Sequence, residues 1–336
     1  MSDPLIVIDA DVLGRRRTGD ETYVRELLRA LPAAGEGLRF AAITRRPDLV
    51  PPGVEPIVLP ARIQELRMAV RVPLLLRRLR PALAHFVHSL PPALPCPGVL
   101  TVQDVSFERD ASLMGRRETA IFRFVVPRSA LKARRVLAIS QRTKDDLVEL
   151  YGLPPEKIVV TPLAPDPSFV PGGTRGDYVL FVGAIEARKN PLLAADAAEA
   201  AGRRLVVVGP ERDRNLVAKL RARGADIRGF VEHDELVRMY QEAAALLFPT
   251  RYEGFGLPVA EAMACGTPVV ATPDAAVREI GGDAVAYAGP DAFAATTVRV
   301  LADPEPWVRA GLERAAMLSW DETARRTVAV YREALA

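Results

Sequence analysis

The chain has 336 residues, 49% of them hydrophobic and 26% charged, with 45 Lys and Arg against 42 Asp and Glu. This length suits two domains of roughly 150 to 170 residues each, and the balance excludes a disordered or fibrous chain. Two lone cysteines, Cys96 and Cys265, a start at Met-Ser-Asp-Pro without a signal pattern, and no apolar run near ~18–20 residues point to the cytoplasm and away from secreted or membrane-spanning classes.

Leu5 to Ile8 is a short apolar run with β-branched residues that ends at Asp9 and Asp11, and it predicts the first strand. A loop with Gly14, Arg15, Arg16, Arg17 and Gly19 follows. Then comes a helix on which Tyr23, Leu27 and Leu31 recur every fourth residue, with Thr18 and Glu21 spaced as a capping box. Further strands are predicted at 40–44, 54–59, 83–87, 99–102 and 136–139, with helices at 115–132 and 143–151. Strands separated by helices imply a parallel sheet covered on both faces. Residues 166–177, with Pro167, Pro171 and three glycines, read as an interdomain linker. Beyond it, strands are predicted at 178–182, 205–208, 226–230, 245–248 and 268–271, and helices at 191–201, 234–244, 257–265 and 291–302. The expected division is 1–165, the linker, 178–318 and a closing segment 319–336. Both domains read as α/β doubly wound, Rossmann-like folds, with ligands beyond the carboxyl ends of the strands in the crevice between them. Residues 1–165 hold 25 Lys/Arg against 18 Asp/Glu, a net +7; the rest hold 20 against 24, a net −4. The halves therefore face different partners, and +7 suits phosphates, an anionic membrane surface or nucleic acid alike.

The densest signal runs from Phe248 to Val270. It reads as strand, glycine loop, short helix, tight turn and strand. Gly254 and Gly256 let backbone approach a ligand closely, and a helix opening at Leu257 aims its amides and dipole at an anion. Glu253 before the loop and Glu261 one turn into the helix then face one pocket, suited to sugar hydroxyls and to a ribose diol. The plain alternative is a capped surface helix with solvated glutamates.

This segment resembles the E-x7-E signature of retaining glycosyltransferases of family four. Glu253 and Glu261 have the spacing, and both Gly254-Phe255-Gly256-Leu257-Pro258 and Ala262-Met263-Ala264-Cys265-Gly266-Thr267-Pro268 match. The resemblance extends over most of the chain. It implies the GT-B architecture of two facing Rossmann-like domains, with a final helix from about Trp320 returning to the first. It also implies transfer of a sugar, mannosyl or glucosyl by family habit, from a nucleotide diphosphate donor with retained configuration. The acceptor is then a carbohydrate, a lipid-linked compound or a natural product. No cofactor or metal is implied, since the donor is a co-substrate.

The other motifs take their meaning beside it. In Phe181-Val182-Gly183 to Pro191 a strand ends at glycine and Arg188 and Lys189 stand where a helix begins. There cations stabilise the charge that grows on a departing β-phosphate. The family places an arginine just after the glycine; this chain has Ala184, for which Arg188 is the candidate substitute. Gly19 matches the family's first glycine loop, whose arginines suit either phosphate or solvent. Val99 to Phe107 carries Gln103-Asp104 where the family has His-Asp. A glutamine bonds but does not titrate, so either the departing phosphate takes the acceptor's proton or the chain has lost the reaction. Phe230, after Gly229, borders the base in the family pattern, and Glu279 is structural.

Asp9-Ala-Asp11 is a poorly placed metal string, and His85, His88 and His233 lack zinc spacing; His88 is kept as an acceptor-side residue with Asp104. Residues 62–80 hold six arginines and one acid, and Leu66 to Gln103 has none. That stretch is either a face packed on its own domain or a peripheral membrane contact. Without interleaved aromatics, nucleic acid is not expected. The candidate site is Glu253, Lys189, Arg188 and Gln103 for chemistry, with Gly19, Gly183, Phe230, Phe255, Gly256, Leu257 and Glu261 for the donor. Two rivals share the architecture: a sugar-nucleotide epimerase, and a silent nucleotide-sugar-binding protein.

Overall fold

The apolar runs of the first half assemble into a seven-stranded sheet. The computed structural model describes residues 3–15, 18–60, 63–109 and 116–336; Arg16, Arg17, Arg62 and Gly115, named above, lie outside the described residues. The chain divides into two units, one running up to Leu163 and joined by Ser319–Ala336, the other spanning Ala164–Leu318.

The first unit contains β1 (Leu5–Asp9), α1 (Thr18–Ala34), β2 (Arg39–Thr44) and β3 (Val54–Val58). An irregular arm follows: α2 (Gln64–Leu66), a π-turn over Arg67–Arg71, and α3 (Val72–Leu79). Then come β4 (Leu83–Val87), β5 (Gly98–Val102), α4 (Ser106–Arg109), α5 (Arg116–Lys132), β6 (Arg135–Ala138), α6 (Gln141–Tyr151) and β7 (Ile158–Val160). The strands are ordered β3-β2-β1-β4-β5-β6-β7, all parallel. Val7, Ala84, Leu100 and Val136 face Val72, Leu76, Val126, Ala130 and Leu147 across one core. Parallel strands are buried on both faces, which is why their runs lack alternation. Glu21 Oε1 accepts from the Gly14 amide at 2.8 Å and ties the first loop to α1.

The second unit contains β8 (Tyr178–Val182), α7 (Pro191–Ala200), β9 (Arg204–Val208), α8 (Arg214–Ala222), β10 (Asp226–Gly229), α9 (His233–Glu242) and β11 (Ala245–Phe248). It continues with α10 (Leu257–Ala264), β12 (Val269–Ala271), α11 (Ala275–Gly281), β13 (Ala286–Tyr287), α12 (Pro290–Ala302) and α13 (Glu305–Ala315). Its six parallel strands are ordered β10-β9-β8-β11-β12-β13. Residues 166–177, read as a linker, belong to this unit. Phe169 is buried edge-on against Tyr240 and His233, and Arg175 donates to the Gly266 carbonyl at 2.6 Å. One aromatic side chain outweighs the loop-like composition around it.

The closing segment is α14 (Trp320–Leu335), which lies against α1 and reaches β4 and β6. Ser319 caps it by accepting from the Asp321 amide at 3.1 Å. A buried chain of hydrogen bonds secures it: Tyr331 Oη to His85 Nδ1 at 2.6 Å, His85 Nε2 to Thr101 Oγ1 at 2.7 Å, and Thr101 Oγ1 to Tyr23 Oη at 2.8 Å. Burial pushes His85 down to about 3, so its ring is neutral, and raises both tyrosines.

A neutral buried histidine costs stability in acid, because the unfolded chain takes up a proton near 6.5 and the folded one does not until about 3. Stability from this site is complete above 6.5 and declines as pH falls, by about 1.4 kcal/mol per pH unit. The stability gap between the parent and His85→Gln should therefore narrow by roughly 2 kcal/mol from pH 7 to 5, read from urea unfolding at both values.

Candidate functional site

In the second unit the order of strands reverses between β8 and β11. The crossovers leaving those neighbours run to opposite sides, which opens a crevice at their carboxyl ends. Two loops meet there. The first leaves β8 at Gly183, whose φ of +153° is one that side-chain-bearing residues rarely adopt. A 3-10 turn over Ala187–Lys189 then leads through Asn190, at φ +50°, into α7. The second loop leaves β11 at Phe248 and turns through Gly256, at φ +97°, into α10.

Lys189 and Glu253 join the two loops, Nζ donating to Oε1. The ammonium also sits 5.3 Å from the Phe248 ring centroid. Burial holds Lys189 below the ordinary lysine range; Glu253 opposes that shift and Arg188 reinforces it. Arg188 is a second bridge: Nη1 donates to the Tyr252 carbonyl at 2.8 Å, and Nε and Nη2 to Glu186 Oε1 at 3.2 and 3.0 Å. Its guanidinium lies 3.7 Å from Glu253 Oε2. Arg212 takes the other Glu186 oxygen at 3.2 Å. Three cations against two carboxylates leave this cluster one positive charge in excess. In the first turn of α10 Pro258 has no amide and the Val259 and Ala260 amides donate to the Gly256 carbonyl at 2.9 and 3.4 Å, while the helix dipole adds to that field.

Glu253, Gly254, Phe255 and Gly256 are buried and Leu257 is half-buried. Glu261 is also buried, and it meets a different partner from Glu253: Tyr240 Oη donates to its Oε2 at 2.8 Å, and burial with that carboxylate raises the tyrosine well above 10.0. Phe230, after Gly229 at φ +64°, is 48% exposed. The Glu279 carbonyl accepts from Arg314 Nη2 at 2.7 Å. Glu186 and Tyr240 did not emerge from motif reading, because each has a partner distant in sequence, Arg212 26 residues on for Glu186 and Glu261 21 residues on for Tyr240. Only their burial marks them.

In the first unit the reversal falls between β1 and β4. Gly19 opens α1, and a Cβ on it would stand 3.7 Å from Gln103 Oε1. Gln103, after β5, is buried, and its Nε2 has no hydrogen-bond partner among the described residues. His88, after β4 at φ +62°, places Nε2 3.3 Å from Asp20 Oδ1. Asp104 accepts from the Ser106 amide at 2.9 Å and starts α4. Asp9 and Asp11 face arginines. Arg67 bonds both oxygens of Asp9, Nη1 to Oδ2 at 3.0 Å, while Asp11 takes Arg45 at 2.8 Å and Arg15 at 2.7 Å. Among the described residues no three His, Cys, Asp or Glu side chains gather as a metal-holding group.

Comparison with known proteins gives concordant results. The family described as "Glycosyl transferases group 1" matches residues 176–303, and that described as "Glycosyltransferase Family 4" matches residues 17–169. D-inositol 3-phosphate glycosyltransferase 1 of Catenulispora acidiphila is 32% identical over 284 residues, 71% of this chain and 67% of that protein. O-antigen chain mannosyltransferase B of Escherichia coli is 30% identical over 232 residues, 60% of this chain and 61% of its own. Most matches to curated relatives span between about half and two thirds of the relatives' length, from 51% to 67%. Among solved structures, Anabaena HepE in complex with UDP-glucose superposes with a TM-score of 0.72 at 14% identity, over 98% of this chain and 99% of that one; at that identity the likeness concerns the fold.

The Gly183 turn also depends on Gly209, at φ +140°, where a Cβ would fall 2.1 Å from the Gly183 carbonyl oxygen. Gly209→Ala should cost about 2–3 kcal/mol, a melting point lower by roughly 5–10 °C. Gly202→Ala, at φ +60° with no neighbour within 4 Å, should cost about 1 kcal/mol. Calorimetry of the two variants compares them.

Proposed function

Since the chain belongs to glycosyltransferase family 4, we propose that it moves a sugar from a nucleoside diphosphate donor to a hydroxyl acceptor with retained anomeric configuration and without a metal. The observation that carries this reading is the buried Lys189, set between the Gly183 turn and the start of α10 with net positive charge around it. A diphosphate suits such a place: amide N–H groups and an ammonium supply what a divalent cation supplies elsewhere.

In this reading the bond from the anomeric carbon to the β-phosphate oxygen breaks and negative charge collects on that oxygen. Lys189 stabilises the charge, and Arg188 holds the two loops at the right separation. The acceptor hydroxyl attacks from the face the phosphate leaves, and its proton passes to the departing phosphate oxygen. No protein base is then needed, which accommodates Gln103. Its unbonded Nε2 suits a sugar or acceptor oxygen. Glu253 serves the donor sugar, Glu261 the ribose, and the Gly229–Phe230 turn the base. A sugar nucleotide donor is supported by the UDP-glucose of the Anabaena structure, and mannosyl or glucosyl transfer to a carbohydrate or polyol by the names of the relatives.

Incubation with a panel of nucleotide sugars, following nucleoside diphosphate release and thermal stabilisation by each diphosphate, tests the reading. Release that depends on an acceptor supports it. Interconversion of the sugar with no release identifies an epimerase, and stabilisation with neither identifies a silent binder. Lys189→Ala should lower kcat by about 10²–10³ with a smaller effect on donor KM; activity within a few fold of the parent would sink the assignment. The diphosphate binds the ammonium form, so its affinity should fall as pH rises through the depressed Lys189 value, by at most about tenfold per pH unit. Lys189→Arg should lose that slope, as titration calorimetry with UDP or GDP would show.

A further inference from the structure

The guanidinium groups of the site are not equivalent. Arg188 spends its donors inside the protein, Nη1 on the Tyr252 carbonyl and Nε and Nη2 on Glu186 Oε1. Arg212 gives Nη1 to Glu186 Oε2 at 3.2 Å, and its side chain is 61% exposed. Glu186 itself is buried, so it fixes one edge of the Arg212 fork and leaves the rest turned to solvent. A guanidinium held in this way keeps paired N–H groups for a ligand, the geometry that suits a phosphate. With Lys189 set against Glu253 and Arg188 against Glu186, Arg212 carries the charge left in excess.

Topology sets where that fork stands. Ile185 and Glu211 form a parallel bridge beyond the ends of β8 and β9. The Ile185 amide donates to the Pro210 carbonyl, and the Asp213 amide to the Ile185 carbonyl, both at 2.9 Å. The two loops therefore leave the sheet side by side. Ile185 is sunk in the core, and strand alternation puts Ala184, Glu186 and Arg212 together on the opposite face. Ala184 offers no charge there; Arg212 brings one across from the neighbouring strand.

The order β10-β9-β8-β11 sets β9 between the Gly229–Phe230 turn and Lys189. Gly209, just ahead of Arg212, donates its amide to the Gly229 carbonyl at 2.8 Å and lies against Gly183. Neighbouring strands stand about 4.8 Å apart. A nucleotide with its base at Phe230 and its terminal phosphate at Lys189 must cross the end of β9, and the part that crosses it is the ribose with the α-phosphate.

We infer that Arg212, anchored by Glu186, pairs with the α-phosphate of the donor as the second cation of the diphosphate site. The inference rests on the transferase reading for the direction in which the nucleotide lies. It adds a division of labour: Lys189 at the phosphate that breaks from the sugar, Arg212 at the one joined to the ribose.

Titration calorimetry with a truncated ligand series separates the two cations. The ligands are UDP, UMP and uridine, with GDP, GMP and guanosine beside them. Arg212→Ala should weaken the diphosphate and the monophosphate alike, by about ten- to hundredfold, and leave the nucleoside within about twofold. Lys189→Ala should weaken the diphosphate and spare the monophosphate. Arg212→Lys should recover part of the affinity, since the charge returns without the fork. Arg214→Ala removes an exposed charge at the start of α8 and should bind as the parent does. The exposed-site variants should keep the parent's melting point. Diphosphate binding by Arg212→Ala within about twofold of the parent, an equal loss for the nucleoside, or an equal loss in Arg214→Ala would overturn the inference and leave the transferase reading standing. A parent that binds neither UDP nor GDP would overturn that reading, and the inference with it.

Discussion

One ion pair orders the candidate site. Lys189 leaves the loop after β8, Glu253 the loop after β11, and their bond closes the crevice that parallel topology opens between those strands. A buried ammonium is costly without a charged partner, and Glu253 supplies one. Each therefore fixes the other's loop, and Arg188 repeats the connection through Glu186 and the Tyr252 carbonyl. The glycines serve the same closure: Gly183 and Gly209 allow two backbones to touch, and Gly256 lets the chain turn into α10.

Arginine is the common strut of both units, and its partners differ by depth. At the end of β1 the two carboxylates that resemble a metal string are neutralised by Arg67, Arg45 and Arg15, with Arg67 almost wholly buried. Planar guanidinium suits this work, since it engages two oxygens at once and never loses its charge. Lysine appears where the charge is to be tuned. Burial lowers Lys189 and its carboxylate partner opposes that, so the arrival of an anion changes the balance.

Much of this was legible from residue order. Runs such as Leu83–Val87, Tyr178–Val182 and Ala245–Phe248 are strands with the bounds their composition predicts, because continuous β-branched runs between helices have few other solutions. Two of the shortest elements escaped: β7 and β13 have three and two residues, too few to show a period. α13 escaped because Glu305-Pro306 and a polar face hide its pattern. The 166–177 stretch misled because one residue, Phe169, decides its allegiance. At the site, local spacing located Lys189, Glu253 and the α10 turn, while long-range partners such as Tyr240 for Glu261 have no local signature. Chemistry at a strand end is written locally; its support is written elsewhere in the chain.

The discontinuity of the first unit bears on how the molecule is made. The second unit is one continuous stretch, Ala164–Leu318, whereas the first lacks Trp320 and Tyr331 until α14 has been synthesised. During translation, Tyr23, Thr101 and His85 emerge early with one face of α1 bare, and their hydrogen-bonded chain cannot terminate until residue 331 leaves the ribosome. The half that begins first is completed last, and a truncated product stays visible to quality control.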